Sequence, residues 1–321
     1  MKHFTSIDDV TGPGGVSGLV KEVLQIKEDP LALNTLGKGL TLGLIFMNPS
    51  LRTRLSTQKA AQNLGTNVMV MNVGTDGWNL ETEDGAIMDG SAAEHVKEAA
   101  PVIGQYCDFI GLRSFPSLKN KESDYQDKIL NAFIKYSGVP VVSLESAVHH
   151  PLQALTDMAT IEELKQKKRP KVVLTWAPHI KALPQSVPNS FAQWAGQADF
   201  DFVITHPAGY ELSKEIIGNS TIEYNQEKAF EGADFIYAKN WSSFSDYGKI
   251  LSNDKSWTVT MEKMSGTNKA KFMHCLPVRR NLVVTDEVLD SSHSVVVQQA
   301  GNREFSAQAV LKRMIEGMGN E

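Results

Sequence analysis

The chain has 321 residues, of which 41% are hydrophobic and 21% charged, and its net charge is -5. These values are typical of a globular protein of about two domains, and they exclude a general attraction to nucleic acid or to anionic membranes. The two cysteines, Cys107 and Cys275, exclude a disulfide framework. The sequence shows no apolar signal region and no run of about 20 apolar residues, so we expect a cytoplasmic protein.

Strand-like and helix-like segments alternate along the chain. Apolar runs predict strands at 42–46, 67–72, 108–112, 139–144, 171–176, 202–205, 235–238 and 271–274. Helical patterns are present at 16–27, 55–64, 92–106, 125–136, 151–166 and from Ala307 to Met318, with Ser91 as the predicted cap of the third. The alternation predicts an α/β fold with two doubly wound parallel-sheet domains of similar size.

The turn after the first predicted strand is the first candidate for an anion site. Ser50 is predicted to cap the following helix, whose first turn carries Arg52 and Arg54. A helix N-terminus presents unpaired N–H groups and the positive end of the dipole, where cations are normally disfavoured. Arginines at this position therefore indicate a bound anion, and the combination predicts a phosphate cradle.

Arg52 shares one kind of position with three other residues. Arg52, Arg113, His150 and Cys275 each follow a predicted strand, and the carboxyl ends of parallel strands meet at one edge of a sheet. A single loop arginine is usually a solvated surface charge, but four residues at equivalent places favour a shared site. We place Arg303 at the start of the last helix, either as an anion ligand or as a surface charge.

Several residues keep alternative interpretations. His149 and His150 could be metal ligands, but adjacent side chains point apart and no partner lies at zinc spacing, so no metal is expected. Cys275 could be a nucleophile beside His274 or simply a buried thiol. Trp78 could pack on its own domain or anchor a neighbouring subunit.

Three sequence features bear on the class of ligand. Residues 177–190 contain three prolines after a strand, which predicts a stiff loop at the ligand-binding edge of the sheet. Gly12, Gly14 and Gly15 follow no strand, so they are not a dinucleotide fingerprint, which weakens a Rossmann dehydrogenase as the fold-level alternative. No GxxxxGK[ST] motif occurs, which argues against a nucleotide hydrolase.

Three segments together resemble the carbamoyltransferases that act on aspartate or ornithine: Ser50-Leu51-Arg52-Thr53-Arg54, His150-Pro151-Leu152-Gln153 and His274-Cys275-Leu276-Pro277. They occur in the family's order, and the resemblance covers almost the whole chain. Leu51 replaces the usual threonine, and the Ser-Met-Gly triplet of ordinary ornithine enzymes is missing. The proline-rich loop and Trp78 resemble the branch that carbamoylates N-acylated ornithine, which implies a trefoil knot in the second domain.

The resemblance assigns the domains and the residues. It implies that residues 1–149 with the helix 301–321 bind carbamoyl phosphate and that residues 150–300 bind the acylornithine. The catalytic residues would be Arg52, Arg113, His150 and Cys275. The carbamoyl phosphate ligands would be Ser50, Leu51, Arg52, Thr53, Trp78, Arg113, His150, Pro151, Leu152, Gln153, Cys275, Leu276 and Arg303. The acylornithine ligands would be Glu145, His179, Lys239, Arg279 and Ala93, with Lys181 as a further candidate. Arg54 would be structural, and Leu276-Pro277 a cis bond.

The resemblance also implies the reaction. The carbamoyl group of carbamoyl phosphate would pass to the δ-amine of N-succinyl-L-ornithine, without metal or cofactor, in a homotrimer that shares Trp78 between subunits. Ala93 stands where the branch has glutamate for acetyl and proline for succinyl substrates, and alanine brings no charge to repel a succinyl carboxylate. An acetylornithine enzyme and a non-catalytic anion-binding paralogue stay open as alternatives.

Overall fold

A computed structural model describes residues 1–319, and positions 320–321 of the predicted C-terminal segment lie outside the described residues. The chain forms two compact units. The first contains Met1–Ser117, Lys121–Leu152 and the segment from Arg303 onward, and the second contains Leu118–Asn120 and Gln153–Asn302. Each unit is built on a parallel sheet, so the predicted two-domain α/β fold is confirmed.

The first unit contains a four-stranded parallel sheet. Its elements are α1 (Gly15–Glu28), β1 (Thr41–Phe46), α2 (Arg52–Asn63), β2 (Asn67–Asn72), β3 (Leu80–Glu81), β4 (Glu94–His95), α3 (Val96–Tyr106), β5 (Phe109–Arg113), α4 (Lys121–Asp124), α5 (Lys128–Tyr136) and β6 (Val141–Glu145). The sheet order is β2–β1–β5–β6, and β3 pairs with β4 separately. The three strands β1, β5 and β6 are buried along almost their whole length, as expected for parallel strands covered on both faces.

The second unit contains a five-stranded parallel sheet in the order β11–β10–β7–β8–β9. Its elements are most of α6 (Pro151–Leu164), β7 (Lys171–Trp176), α7 (Ser186–Gln197), β8 (Asp201–Thr205), α8 (Lys214–Ile217), β9 (Thr221–Glu223), α9 (Gln226–Phe230), β10 (Phe235–Lys239), α10 (Met261–Ser265), β11 (Lys271–Met273), α11 (Asp286–Leu289) and the start of α12 (Val296–Met318). From Arg303 onward, α12 belongs to the first unit. Its apolar core includes Val173, Ile236, Phe272 and Val284, all less than 1% exposed.

Two predicted helix caps are wrong. Helix α2 begins at Arg52 after Leu51, and no side chain of the described residues caps it, so Ser50 is not the cap. Helix α3 begins at Val96 rather than at 92, because Glu94–His95 is extended and pairs with Leu80–Glu81. Its cap is the His95 side chain, which accepts the N–H of Lys97 at 3.1 Å, so Ser91 plays no part.

Three other boundaries differ from the sequence predictions. The stiff loop predicted at 177–190 ends early, because α7 starts at Ser186 and Pro188 lies in its first turn, where a missing N–H costs no hydrogen bond. Helix α12 starts at Val296, so Arg303 lies within the helix instead of at its start. The helix predicted from 125 starts at Lys128, because Asp127 has a left-handed φ of 43°. Within residues 1–319, no helix is both long and apolar enough to span a bilayer.

Candidate active site

Residues 48–54, which join β1 to α2 and include the first turn of α2, lie beside the end of β5. We call this segment the anion turn. The register pairs Phe46 of β1 with Arg113, the last residue of β5, so Arg113 ends the strand next to the turn. Arg113 Nη1 donates to the backbone oxygens of Asn48 at 3.1 Å and Pro49 at 2.9 Å. The structure therefore places a buried guanidinium against the turn that the sequence singled out.

Arg113 is also part of a buried ion pair. Its Nη2 lies 3.1 Å from Glu145 Oε2, and both side chains are less than a tenth exposed. His150 Nε2 lies 3.9 Å from the same carboxylate oxygen, and the guanidinium carbon lies 4.0 Å from the centre of the Phe115 ring. These contacts fix the direction of the guanidinium before any ligand arrives, which is the preorganisation that stabilises developing charge.

A second arginine reaches the first turn of α2. Arg303 Nη2 donates to Thr53 Oγ1 at 2.6 Å, and both residues are buried. Leu51 is exposed, while Ser50 and Arg52 are half-buried. An open depression of about 370 Å³ lies here, lined by Pro49, Ser50, Leu51, Arg54, Leu55 and Asn72. The first unit thus combines a helix N-terminus with several guanidinium groups, an arrangement suited to a phosphate.

The loop that precedes His150 is held by Asp127, which sequence reasoning missed. Ser146 Oγ and the Ala147 N–H donate to the Asp127 carboxylate at 2.7 and 2.8 Å. Burial raises the pKa of Asp127, although these hydrogen bonds act in the opposite direction. The Ser146 N–H also donates to the His149 carbonyl at 2.8 Å. Together these bonds fix the backbone that leads into His150, which is 3% exposed.

Trp78 and Ala93 lie on the surface of the first unit. The Trp78 ring is 58% exposed, and its Nε1–H donates to Glu94 at 2.8 Å. Ala93 is exposed, and its N–H donates to the carbonyl of Asn79 at 3.2 Å. These hydrogen bonds connect the segment that contains Trp78, the predicted subunit anchor, to the segment that contains Ala93, the predicted acyl-specificity residue.

The second unit contains a buried cluster that we call the amide network: Gln153, Asp157, Gln299, Tyr237 and the backbone of His274. Gln153 Nε2 and Gln299 Nε2 both donate to Asp157 Oδ1 at 2.7 Å. The His274 N–H donates to Gln299 Oε1 at 2.9 Å. Burial raises the pKa of Tyr237 well above its ordinary value, and Asp157 and Cys275 raise it further. Of these residues, the sequence analysis had singled out only Gln153 as a ligand.

The turn after β11 has the unusual backbone that the resemblance implied. The Leu276-Pro277 peptide bond is cis, which confirms the prediction, and Leu276 has a φ of 56°. The Leu276 N–H donates to His274 Nδ1 at 2.9 Å. Cys275 is half-buried and forms no disulfide bond within residues 1–319.

Two predicted acylornithine ligands meet in the second unit. Arg279 Nε donates to His179 Nε2 at 3.1 Å, so this ring nitrogen must be unprotonated. The proton of a neutral ring then resides on Nδ1, which lies 3.0 Å from the Lys181 carbonyl and 3.1 Å from the Lys181 nitrogen. A protonated Nδ1 can donate to the carbonyl but cannot accept the Lys181 N–H, so the carbonyl is its partner in this tautomer. Burial lowers the pKa of His179, and the positive charges of Lys239 and Arg279 lower it further, against the opposing hydrogen bond to Lys181. The surroundings therefore favour the neutral ring.

The structure groups the predicted residues within each unit. In the first unit Arg113 and His150 both lie beside the Glu145 carboxylate, and Arg303 contacts Thr53. In the second unit Gln153 lies in the amide network, and His179 contacts Arg279. No group of three or more metal-ligating side chains is arranged to hold a metal ion anywhere in the described part of the chain.

The family model for the aspartate/ornithine carbamoyltransferase carbamoyl-P binding domain matches residues 2–163, and that for the Asp/Orn binding domain matches residues 184–314. The chain is 56% identical to N-succinylornithine carbamoyltransferase of Bacteroides thetaiotaomicron, over 99% of this chain and 100% of that protein. It is 35% identical to N-acetylornithine carbamoyltransferase of Xylella fastidiosa, over 97% and 98% of the two chains. Among solved structures, it resembles an N-acetyl-L-ornithine transcarbamylase with one glutamate replaced by alanine, complexed with carbamyl phosphate and N-succinyl-L-norvaline. That match has a TM-score of 0.91 and 33% identity, over 98% and 100% of the chains.

Proposed function

This chain belongs to the aspartate/ornithine carbamoyltransferase family, and on that premise we propose that it transfers the carbamoyl group of carbamoyl phosphate to the δ-amine of N-succinyl-L-ornithine. The products are N-succinyl-L-citrulline and phosphate, as a step of arginine biosynthesis. The observation that carries the proposal is the 56% identity to an N-succinylornithine carbamoyltransferase along 99% of the chain. A match of this extent leaves no domain of the relative without a counterpart here.

The first unit would bind the phosphate of the donor. Arg52, Arg113 and Arg303 supply positive charge, and the N-terminus of α2 supplies N–H donors to the phosphate oxygens. The contacts that support this assignment are those of Arg113 with the anion turn and of Arg303 with Thr53. The other proposed donor ligands are Ser50, Leu51, Trp78, His150, Pro151, Leu152, Gln153, Cys275 and Leu276.

The chemistry follows from the donor. The neutral δ-amine attacks the carbonyl carbon of carbamoyl phosphate, a C–N bond forms, the C–O bond to phosphate breaks, and phosphate leaves. Arg52, Arg113 and His150 polarise the carbonyl oxygen, and the guanidinium groups stabilise the charge that grows on phosphate. The ammonium form of the free amine has a pKa of about 10, so it must first lose a proton to solvent. As the C–N bond forms, the attacking nitrogen loses a second proton, which the departing phosphate accepts. No cofactor is required, because the leaving group is already activated.

The acylornithine would be bound by Glu145, His179, Lys239, Arg279 and Ala93. The contact between Arg279 and His179 supports the grouping of two of them. Ala93 brings no carboxylate that would repel the succinyl group, and a glutamate-to-alanine variant of the acetyl-specific relative has been solved with N-succinyl-L-norvaline. Two carboxylates about 4 Å apart near a protein surface repel by roughly 4 kcal/mol before screening, enough to decide between acyl groups.

N-acetyl-L-ornithine is the second candidate acceptor. The acetyl-specific relatives align along nearly the whole chain, although at 35% identity or less. An alanine also leaves space that a small acetyl group tolerates. We further propose a cytoplasmic homotrimer in which Trp78 contacts the neighbouring subunit, with a trefoil knot in the second unit. The exposed Trp78 ring supports the proposed contact with the neighbouring subunit.

The proposal is tested by incubating the protein with carbamoyl phosphate and N-succinyl-L-ornithine. Released phosphate is measured by colorimetry and the carbamoylated product by mass spectrometry. We expect the two in equal amounts, with the new carbamoyl group on the δ-nitrogen. Phosphate release without the carbamoylated product, or binding of carbamoyl phosphate with no turnover of any acylornithine, would contradict the proposal.

A further inference from the structure

A single buried carboxylate lies at the centre of the amide network. Asp157 of α6 is fully buried, and its Oδ1 accepts one N–H from Gln153 and one from Gln299, each at 2.7 Å. Both glutamines are 1% exposed. An acceptor that binds two buried amide groups fixes which end of each amide faces it.

The orientation of Gln299 is determined by a backbone group. The His274 N–H can only donate, and it lies 2.9 Å from the side-chain oxygen of Gln299. The nitrogen of this amide therefore faces Asp157, independently of the usual ambiguity between amide oxygen and nitrogen. Asp157 thus acts through Gln299 on the backbone that leads into Cys275 and Leu276.

The orientation of Gln153 follows from the same carboxylate. If Gln153 presented its oxygen to Asp157 Oδ1 at 2.7 Å, two acceptors would face one another in a buried site. Its NH₂ therefore faces Asp157, and its Oε1 is the end of the amide that can accept an N–H. Gln153 and Asp157 are four residues apart on α6 and so share one face of the helix.

We propose that Asp157 is the positioning residue that makes Gln153 an acceptor for the carbamoyl NH₂ and that holds, through Gln299, the turn from His274 to Leu276. The inference rests on the proposed function, because it takes Gln153 and Leu276 as ligands of the carbamoyl group. It goes beyond that function by explaining selectivity. Acceptors directed at the NH₂ position select a donor with an NH₂ group over the analogue with a methyl group there.

Tyr237 also lies in the surroundings of Asp157. Its side chain is fully buried, and Asp157 and Cys275 add to the effect of burial in raising its pKa. Asp157 is connected to the turn after β11 at His274, through Gln299. Loss of the carboxylate would loosen this connection.

The test compares carbamoyl phosphate with acetyl phosphate, which carries a methyl group where carbamoyl phosphate has NH₂. Dissociation constants of both, and of inorganic phosphate, are measured by calorimetry on the full chain. In the unaltered protein we expect carbamoyl phosphate to bind at least about tenfold more tightly than acetyl phosphate. In Asp157→Asn, whose neutral side chain holds the amides less firmly, we expect this ratio to fall about fivefold. Phosphate binding should stay within about twofold.

Asp157→Leu is the stronger variant, since it removes the acceptor altogether, and Asp157→Asn keeps the test usable if the leucine variant does not fold. The matched control is Thr160→Val on the same helix. Thr160 is fully buried, and its hydroxyl accepts from Asn302 at 3.0 Å and donates to the Thr156 carbonyl at 2.8 Å. The Thr160→Val variant should lose thermal stability but keep the preference for carbamoyl phosphate over acetyl phosphate.

Each result decides the inference. An unchanged ratio in Asp157→Asn overturns it, as does an equal drop in Thr160→Val, because either would mean that Asp157 is merely structural. A ratio near one in the unaltered protein also overturns it. These are binding measurements, so they remain decisive if the protein fails to carbamoylate any acylornithine, in which case the proposed function fails separately.

Discussion

The two units each bury a charge beside the residues assigned to the donor, but they surround it differently. In the first unit Arg113 is 7% exposed and contacts a carboxylate and two backbone carbonyls. In the second unit Asp157 is fully buried and accepts from two neutral amides. On the proposed function, the contrast would match the two ends of carbamoyl phosphate: an anionic phosphate requires cations, whereas a neutral carbamoyl group is recognised by correctly directed acceptors and donors.

The comparison predicts its largest effect at Arg52. Arg52→Ala removes a cation from the first turn of α2, and the lost stabilisation of the leaving phosphate should lower kcat/KM for carbamoyl phosphate by about 10³-fold. Steady-state kinetics with phosphate detection would measure this. A loss of less than about tenfold would show that Arg52 is an ordinary surface charge.

The next largest effect is expected at Arg113. Arg113→Lys cannot satisfy Glu145, Asn48 and Pro49 together, because lysine lacks the planar fork of the guanidinium. We expect kcat/KM to fall about 100-fold and the free energy of unfolding to fall by about 2 kcal/mol, measured by urea titration. The same substitution at Arg280, an exposed residue paired with Asp286 and Asp290, is the control and should change stability by less than about 1 kcal/mol. Equal effects at the two positions would show that the buried Arg113 contributes no more than an exposed, paired arginine.

A change of acyl preference is predicted for Ala93→Glu. The new carboxylate should repel the succinyl carboxylate but not an acetyl group, and it should lower the ratio of kcat/KM for the succinyl over the acetyl substrate by about tenfold. Ala93→Gln has a similar size without charge and serves as the control. A drop caused by glutamine as large as that caused by glutamate would point to steric exclusion instead of charge.

The smallest predicted effect is a change in pH dependence. Because His179 accepts from Arg279, it must be neutral, and its pKa lies below the ordinary 6.5 owing to burial and nearby cations. Protonation of the substrate amine gives log kcat/KM for the acylornithine a slope of about one against pH, and protonation of His179 should steepen it to about two at acidic pH. His179→Gln, which can still accept from Arg279, should keep a slope of about one throughout. If the slope still steepened to about two in the variant, the second protonation would belong to a group other than His179.

Much of the fold was predictable because its signals are local. Strands such as Leu42–Phe46 and Lys171–Trp176 read as continuous apolar runs, since both faces of a parallel strand are buried. The start of α7 was missed because the three prolines of residues 177–190 were interpreted as stiffening a loop, although the first turn of a helix tolerates proline. The start of α3 was missed because the extended pair Glu94–His95 depends on Leu80–Glu81, which is distant in sequence.

The candidate site was predictable only where the residues belong to a recognisable motif. Arg52 and His150 lie in such motifs, whereas Asp157, Gln299 and Asp127 do not. Asp157 gave one local signal, its spacing of four residues from Gln153 on a helix, which places both on one face. Gln299 gave none, because it reaches Asp157 only through folding, 142 positions apart in the chain.

The most direct test of the central claim is the ratio of kcat/KM for N-succinyl-L-ornithine to that for N-acetyl-L-ornithine, measured side by side at saturating carbamoyl phosphate with free ornithine as a third acceptor. We predict that the succinyl substrate is preferred by at least about tenfold and that free ornithine is a poor acceptor, because the acyl group supplies binding energy that the free amino acid lacks. Turnover of free ornithine without turnover of either acylated substrate would contradict the account. A preference for the acetyl substrate would mean that the acceptor is N-acetyl-L-ornithine instead of N-succinyl-L-ornithine.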